Sequence, residues 1–193
     1  MARPLEHKRE EVITAAMQIF WDKGYAATSL ADLKAATGLN PGSLYSSYTS
    51  KEALFIATLE FYCSQSIENL QTTLSQGTDS IANIYQFFAN FEARQSEPSK
   101  GCFFVNTLIE MAPHNAKVKA LLGQYTERYQ HAFHDALQRA QEHDLLARDC
   151  DIQTTSNQLM LTIWGLRVMH RSDLDIDTAT IVKQQLDDIF SKY

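Results

Sequence analysis

Apolar positions recur every three to four residues along most of this chain, and the places where the rhythm stops divide it into helices. Val12, Ala15, Ala16, Ile19 and Phe20 share one helical face, which predicts an amphipathic helix over about 5–23 that Gly24 stops. In ATSLADLKAATG, Ser29 and Asp32 have the spacing of a capping box, so a short helix is expected over 30–37 with Gly38 as its stop. Asn40 is a good N-cap and Pro41 a good first helical residue, which predicts a second short helix over 41–47. Two short helices joined by a tight glycine turn make a helix-turn-helix.

Thr49 and Glu52 repeat the capping-box spacing and open a long helix expected over 50–74. Its start is apolar on more than one face, so it serves as the joint between an N-terminal domain, 1–49, and a C-terminal domain, 50–193. Gly77 breaks it, and a further helix starts at Asp79. SEPSKG, 96–101, reads as a loop, followed by a short apolar helix over 102–111 that ends before Pro113. Over 116–142, Val118, Leu121, Leu122, Tyr125, Tyr129, Ala132, Phe133, Ala136 and Ala140 form one stripe. Helices over 151–171 and 176–191 complete the chain. The expected fold class is all-α: a three-helix head with a helix-turn-helix, then a helical body.

Composition agrees with that pattern. Of 193 residues 45% are hydrophobic, enough for a sizeable core, and seven Gly and four Pro are few for a many-stranded sheet. The N-terminus MARPLEHKREEV has no signal-peptide character and no stretch is long and apolar enough to span a bilayer, so a cytoplasmic protein without a membrane partner is expected. Cys63, Cys102 and Cys150 include no CxxC pair and read as reduced thiols. The net charge of −6 is unevenly spread: residues 1–51 carry six Lys or Arg against five acids, while the remainder carries eleven against eighteen. The asymmetry points to the N-terminal quarter as the part that can meet a polyanion.

NPGSLYSSYTSKEAL, 40–54, has the chemistry of a groove-reading surface. A recognition helix enters the major groove N-terminus first and must let its backbone approach closely. Gly42 and Ser43 allow that approach. Tyr45 and Tyr48 offer phenolic hydroxyls, Lys51 an ammonium, and Thr28 and Ser29 hydroxyls and free N–H groups, all to phosphate oxygens. The bland alternative is a surface hairpin whose tyrosines face a core and whose caps serve stability alone.

The string AAMQIF..KGYAATSLADLKAATGLNPGSLYSSYTSKEAL resembles the TetR/AcrR family of bacterial transcriptional regulators over about 10–56: GYAATS, the Gly38 turn, GSLY and SKEAL stand in the family's order and spacing. The resemblance implies a dimer whose heads bind double-stranded operator DNA and whose bodies bind a small effector. It places DNA contacts on Thr28, Ser29, Asn40, Pro41, Gly42, Ser43, Tyr45, Ser47 and Lys51. Ser46-Ser47-Tyr48 departs from the commoner pattern of bulkier residues before a Phe.

In the body, the resemblance makes an effector cavity the expectation, although aromatics at helical spacing are ordinarily core. The candidates are Phe87, Phe91, Cys102, Phe103, Asn106, Tyr125, Tyr129 and Trp164, which imply a small apolar or aromatic ligand. Cys102, after Lys100 and Gly101 at an expected helix N-terminus, has the setting of a lowered thiol pKa, and NemR-like members of the family carry a Gly-Cys at a similar place and respond to electrophiles. The competing reading is a buried small hydrophobe. Glu127, His131 and His134 fall on the polar side of their helix, away from any second shell, so no metal and no cofactor are expected. For a dimer seam the last two helices offer either Leu159, Ile163, Leu166 and Met169 or Met160, Gly165 and Val168, with Ile181, Leu186 and Ile189. A ligand-binding module without a DNA role, and a small enzyme built on Cys102 and His114, are the alternatives; no Gly-rich turn, orienting acid or oxyanion-hole signature accompanies Cys102 and His114, and no enzyme is expected.

Overall fold

The structure is a computed structural model. Its described residues are 3–93, 100–172 and 175–191; the side chains of 3–8, Pro41, Tyr45, Glu92 and Ala93 are not among them. The helices are α1 (Arg3–Ala27), α2 (Leu30–Thr37), α3 (Pro41–Ser47), α4 (Lys51–Leu74), α5 (Ser80–Ala93), α6 (Phe103–Glu110), α7 (Ala116–Glu142), α8 (Ile152–Met169) and α9 (Thr178–Phe190). Two compact units result, one of residues 1–65 with 103–122 and one of 66–102 with 123–193. The helices α4 and α7 each contribute to both.

The sequence signals act locally as expected. α1 breaks at Gly24, whose φ of 80° and ψ of 168° leave helical space before one further turn to Ala27. Both bonds of the Ser29–Asp32 box are made, and Gly38 ends α2 in the left-handed region at φ 67° with its N–H on the Lys34 carbonyl. Asn40 caps α3, its side chain accepting from the Ser43 N–H. The second capping box does not form: Ser50, one residue after Thr49, caps α4 by accepting from the Ala53 N–H at 3.0 Å, and Glu52 accepts from Asn115 Nδ2 instead. Asp79, Asp151 and Asp177 cap α5, α8 and α9 through N–H groups three residues on. Of the expected loop at 96–101, residues 96–99 lie outside the described set.

In the first unit, Val12, Ala16 and Phe20 of α1 are buried, as are Leu33, Leu44, Leu54 and Phe55. Rings tie this unit together edge to face: Phe20 on Phe55 at 5.0 Å, Tyr25 on Phe55 at 5.0 Å, and Phe103 of α6 on Phe55 and Tyr62, each at 5.6 Å. Such pairs contribute about 0.5–1.5 kcal/mol beyond the area they bury.

The second unit is built on Phe87, Phe88 and Phe133, with Leu70, Leu74, Leu137, Leu159, Ile163, Leu166 and Leu186 around them. Two polar ties join helices in this unit. Arg139 Nη2 donates to the Leu74 carbonyl at the C-terminus of α4. The Tyr85 hydroxyl donates to Asp187 of α9 at 2.8 Å, and burial, followed by that carboxylate, pushes the phenol pKa up to about 12.

Candidate functional site

The exposed edge of the first unit is set by caps. Ser29 Oγ accepts from the Asp32 N–H and donates to the Asp32 carboxylate, which also takes the Ser29 N–H at 2.9 Å and the Lys23 ammonium. The Lys23 bond, then the two from Ser29, hold the Asp32 carboxyl well below the usual carboxylate range. α2 therefore starts from a rigid anchor with Ser29 exposed. On α3, Asn40, Gly42, Ser43, Ser46 and Ser47 are all exposed, and Leu44 turns inward. No cation or carboxylate stands on this helix. The Asn40 oxygen is committed to the cap and Ser46 Oγ to the Ser43 carbonyl.

Gly42 is informative because nothing among the described residues requires it. A Cβ built there would meet only Asn40 Oδ1, at 3.4 Å, and its φ is not in the left-handed region. At Gly42 the backbone of α3 therefore stands bare toward the outside with no reason among the described residues, which is the condition for close backbone approach by a partner.

Two sequence expectations are corrected here. Tyr48 does not face outward: it is 6% exposed, in the core with Leu44, and its hydroxyl is buried with no hydrogen-bond partner among the described residues. Leu44 and Tyr48 are i, i+4 and share the inward face, whereas spacing it from Tyr45 by one turn had put both phenols outside. Thr28 is 2% exposed and its hydroxyl donates to the Gly24 carbonyl at 2.6 Å, so its side chain shapes the turn rather than the surface. Lys51 is half-buried with its ammonium 4.5 Å from the Tyr25 ring centroid. The side chains of Pro41 and Tyr45 lie outside the described residues.

The eight effector candidates are not gathered in one unit. Phe103 and Asn106 fall in the first, Phe103 against Trp21, Phe55 and Tyr62. Phe87, Phe91, Cys102, Tyr125, Tyr129 and Trp164 fall in the second. Phe87 is part of the phenylalanine core. Cys102 is 6% exposed, which matches the small-hydrophobe reading and not an accessible nucleophile. An open groove of about 450 Å³ beside the end of α4, lined by Thr72, Arg128, His131, Asp135 and Arg139 among others, contains none of the eight.

Sequence reasoning missed Arg167. Only 5% exposed, it donates through Nη2 to the Tyr129 hydroxyl at 2.8 Å and reaches Ser66 Oγ at 3.5 Å. Ser66 and Tyr129 are also hydrogen-bonded to each other. The guanidinium lies 4.9 Å from the Tyr129 ring and 5.8 Å from that of Phe91, which stacks on His170 at 5.5 Å. The signal was an arginine inside the otherwise apolar turn TIWGLRVM, at a position facing the core. Among the described residues no group of three His, Cys, Asp or Glu could hold a metal ion, and no helix is long and apolar enough to cross a membrane.

A capped helix-turn-helix with an exposed reading edge, followed by an aromatic-rich helical unit, is the architecture of a DNA-binding regulator. The comparisons agree: residues 12–58 match "Bacterial regulatory proteins, tetR family" and residues 77–185 match "Tetracyclin repressor-like, C-terminal domain". The chain belongs to the tetR family of bacterial transcriptional regulators. It is 27% identical over 179 residues to the transcriptional repressor ComR of Escherichia coli K12, covering 91% of this chain and 85% of that one. It is 28% identical over 182 residues to the regulator YezE of Bacillus subtilis 168, covering 92% and 93%. In structure it is similar to reduced E. coli NemR, with a TM-score of 0.84 at 17% identity over 95% and 97% of the two chains. It is also similar to a cysteine-substituted CifR bound to a 26-base-pair operator, with a TM-score of 0.80 at 22% identity over 95% of each.

Proposed function

We propose that this chain is a dimeric repressor that reads an operator through α3 and is released by a small aromatic effector bearing an acceptor group. The observation that carries the DNA reading is the exposed edge of Asn40, Gly42, Ser43, Ser46 and Ser47, bare at Gly42 and anchored through the capped start of α2. Ser29, Asn40, Gly42, Ser43, Tyr45 and Ser47 make the contact set, with Lys51 at its margin. With no Arg or Lys on α3, guanine is not read there by the bidentate contact those residues make, and hydroxyl and close apolar contacts to base edges replace it. Such a protein works where the chromosome is, in the cytoplasm, and no catalysis is assigned to it.

The dimer reading rests on apolar surface that a solitary unit leaves in water. On α8, Leu161 is 73% and Val168 53% exposed, on one face with Gly165, and Ile181 of α9 is 54% exposed. Leu159, Ile163, Leu166, Met160, Leu186 and Ile189, named as seam candidates from spacing, are buried inside the unit. The seam is therefore the Leu161–Gly165–Val168 face with Ile181. For the effector, Arg167 with Tyr129 and Ser66 supplies the polar anchor, and Phe91 and His170 the stacking surface. Burial of Cys102 weighs against the thiol as the trigger.

Fluorescence anisotropy against duplexes tiling the DNA beside the gene, at physiological salt, tests this reading. Binding of one tile at least about a thousandfold tighter than a scrambled duplex is expected. Equal weak binding to every tile leaves a ligand-binding module without a DNA role.

A further inference from the structure

We infer that Glu110, outside the reading surface, is a positioning residue for DNA binding: its carboxylate closes the break in α1 and so holds the turn that leads into the helix-turn-helix. The inference rests on the DNA-binding reading above.

At Gly24 the backbone leaves the helix and resumes at Tyr25 for a single turn. The N–H groups that open a resumed turn have no carbonyl four residues back to bond. Glu110 supplies the partners: Oε2 accepts from the Tyr25 N–H at 3.1 Å and Oε1 from the Ala26 N–H at 2.9 Å. A carboxylate is the favoured charge at that end of a helical turn, and both of its oxygens are used. The seat is close-fitting, since a Cβ at Gly24 would stand 2.9 Å from Oε2. Gly24 is thus demanded by its φ and by the carboxylate together.

The chain from this turn leads straight into the reading machinery. Thr28 ties back to the Gly24 carbonyl at 2.6 Å, and Ser29 next to it caps α2. Phe103 and Glu110 are seven residues apart, two turns of α6, and both engage the first unit, Phe103 through Trp21, Phe55 and Tyr62. α6 is therefore a strut of the head. Bonds of 2.9–3.1 Å are lost once displaced by about 1 Å, so the turn depends on α6 keeping its place in the first unit.

The test uses the full chain with Glu110→Ala, Glu110→Gln, which keeps one acceptor oxygen, and Ile109→Ala on the exposed side of the same helix. Amide exchange at Tyr25 and Ala26 is read together with affinity for the operator tile and for scrambled DNA. Glu110→Ala is expected to speed exchange at those two amides at least about tenfold and to weaken operator binding about 5–50-fold with scrambled DNA unaffected. Glu110→Gln should be intermediate and Ile109→Ala like the parent. Should Glu110→Ala fail to fold, Glu110→Gln carries both measurements. Parent-like exchange at Tyr25 and Ala26, or parent-like operator binding, in Glu110→Gln and Glu110→Ala overturns the inference. If the parent itself prefers no tile, the DNA-binding reading has failed instead, and accelerated exchange would still establish the carboxylate's hold on the turn.

Discussion

Replacing Gly42 by Ala separates what the fold needs from what the operator needs. Gly42 is the second residue of α3, exposed, with ordinary helical φ and only Asn40 Oδ1 at 3.4 Å from a built Cβ. Within the protein the methyl is therefore harmless, and Ala is favoured over Gly in a helix by up to about 1 kcal/mol. For a chain of this size about 1 kcal/mol raises the melting temperature by about 2–4 °C, so Gly42→Ala should melt slightly higher than the parent. Against DNA the same methyl stands where backbone and groove must meet. Losing one such contact costs about 1–3 kcal/mol, roughly 5–150-fold in affinity. The assay is a thermal melt paired with anisotropy titrations on the operator tile and a scrambled duplex. A raised melting temperature with unchanged operator affinity would refute the close-approach argument, and a lowered melting temperature would show that the fold itself requires the glycine.

Tyr48→Phe removes a buried hydroxyl that has no hydrogen-bond partner among the described residues and should stabilise the protein by about 1 kcal/mol in urea unfolding while leaving operator affinity unchanged; weaker DNA binding would return Tyr48 to the contact set. Leu161→Glu should turn a dimer into a monomer by sedimentation and weaken operator binding with it, whereas a persisting dimer removes the Leu161–Val168 face from the seam. Asp32→Asn should destabilise the head at neutral pH. Because the folded carboxyl titrates below its ordinary value near 3.8, the stability it adds is present above that value and fades as pH falls below it. The difference between parent and variant in thermal melts should therefore shrink steadily as pH falls below about 4, and a difference as large at pH 2 as at pH 7 would contradict it. Arg167→Met should abolish release by an acceptor-bearing aromatic effector in a ligand screen while operator binding without effector stays intact.

The sequence by itself determined most of the local structure. The α2 and α3 boundaries, the Gly38 stop, the Asn40 cap and the break at Gly24 rest on interactions spanning one to four residues, so the short-range pattern contains all the information they need. The same holds for the exposed Ser and Gly of α3. Where a rule was right in kind but wrong by one residue, as at Ser50 in place of Thr49, two adjacent hydroxyls competed for one cap and a distant residue, Asn115, took Glu52 away.

Tertiary structure alone decided which face of each helix turned inward and which distant groups met. Tyr48 and Thr28 look like surface hydroxyls in sequence, but packing places one against Leu44 and the other on the Gly24 carbonyl. Phe103 reads as pocket lining until α6 is seen to join the head. Arg167 with Tyr129, and Glu110 with the Tyr25 and Ala26 amides, are pairs 38 and 84 or 85 residues apart. No periodicity encodes such pairs: a helix pattern fixes the angle of a side chain about its own axis, and only the packing of one helix on another fixes what stands opposite.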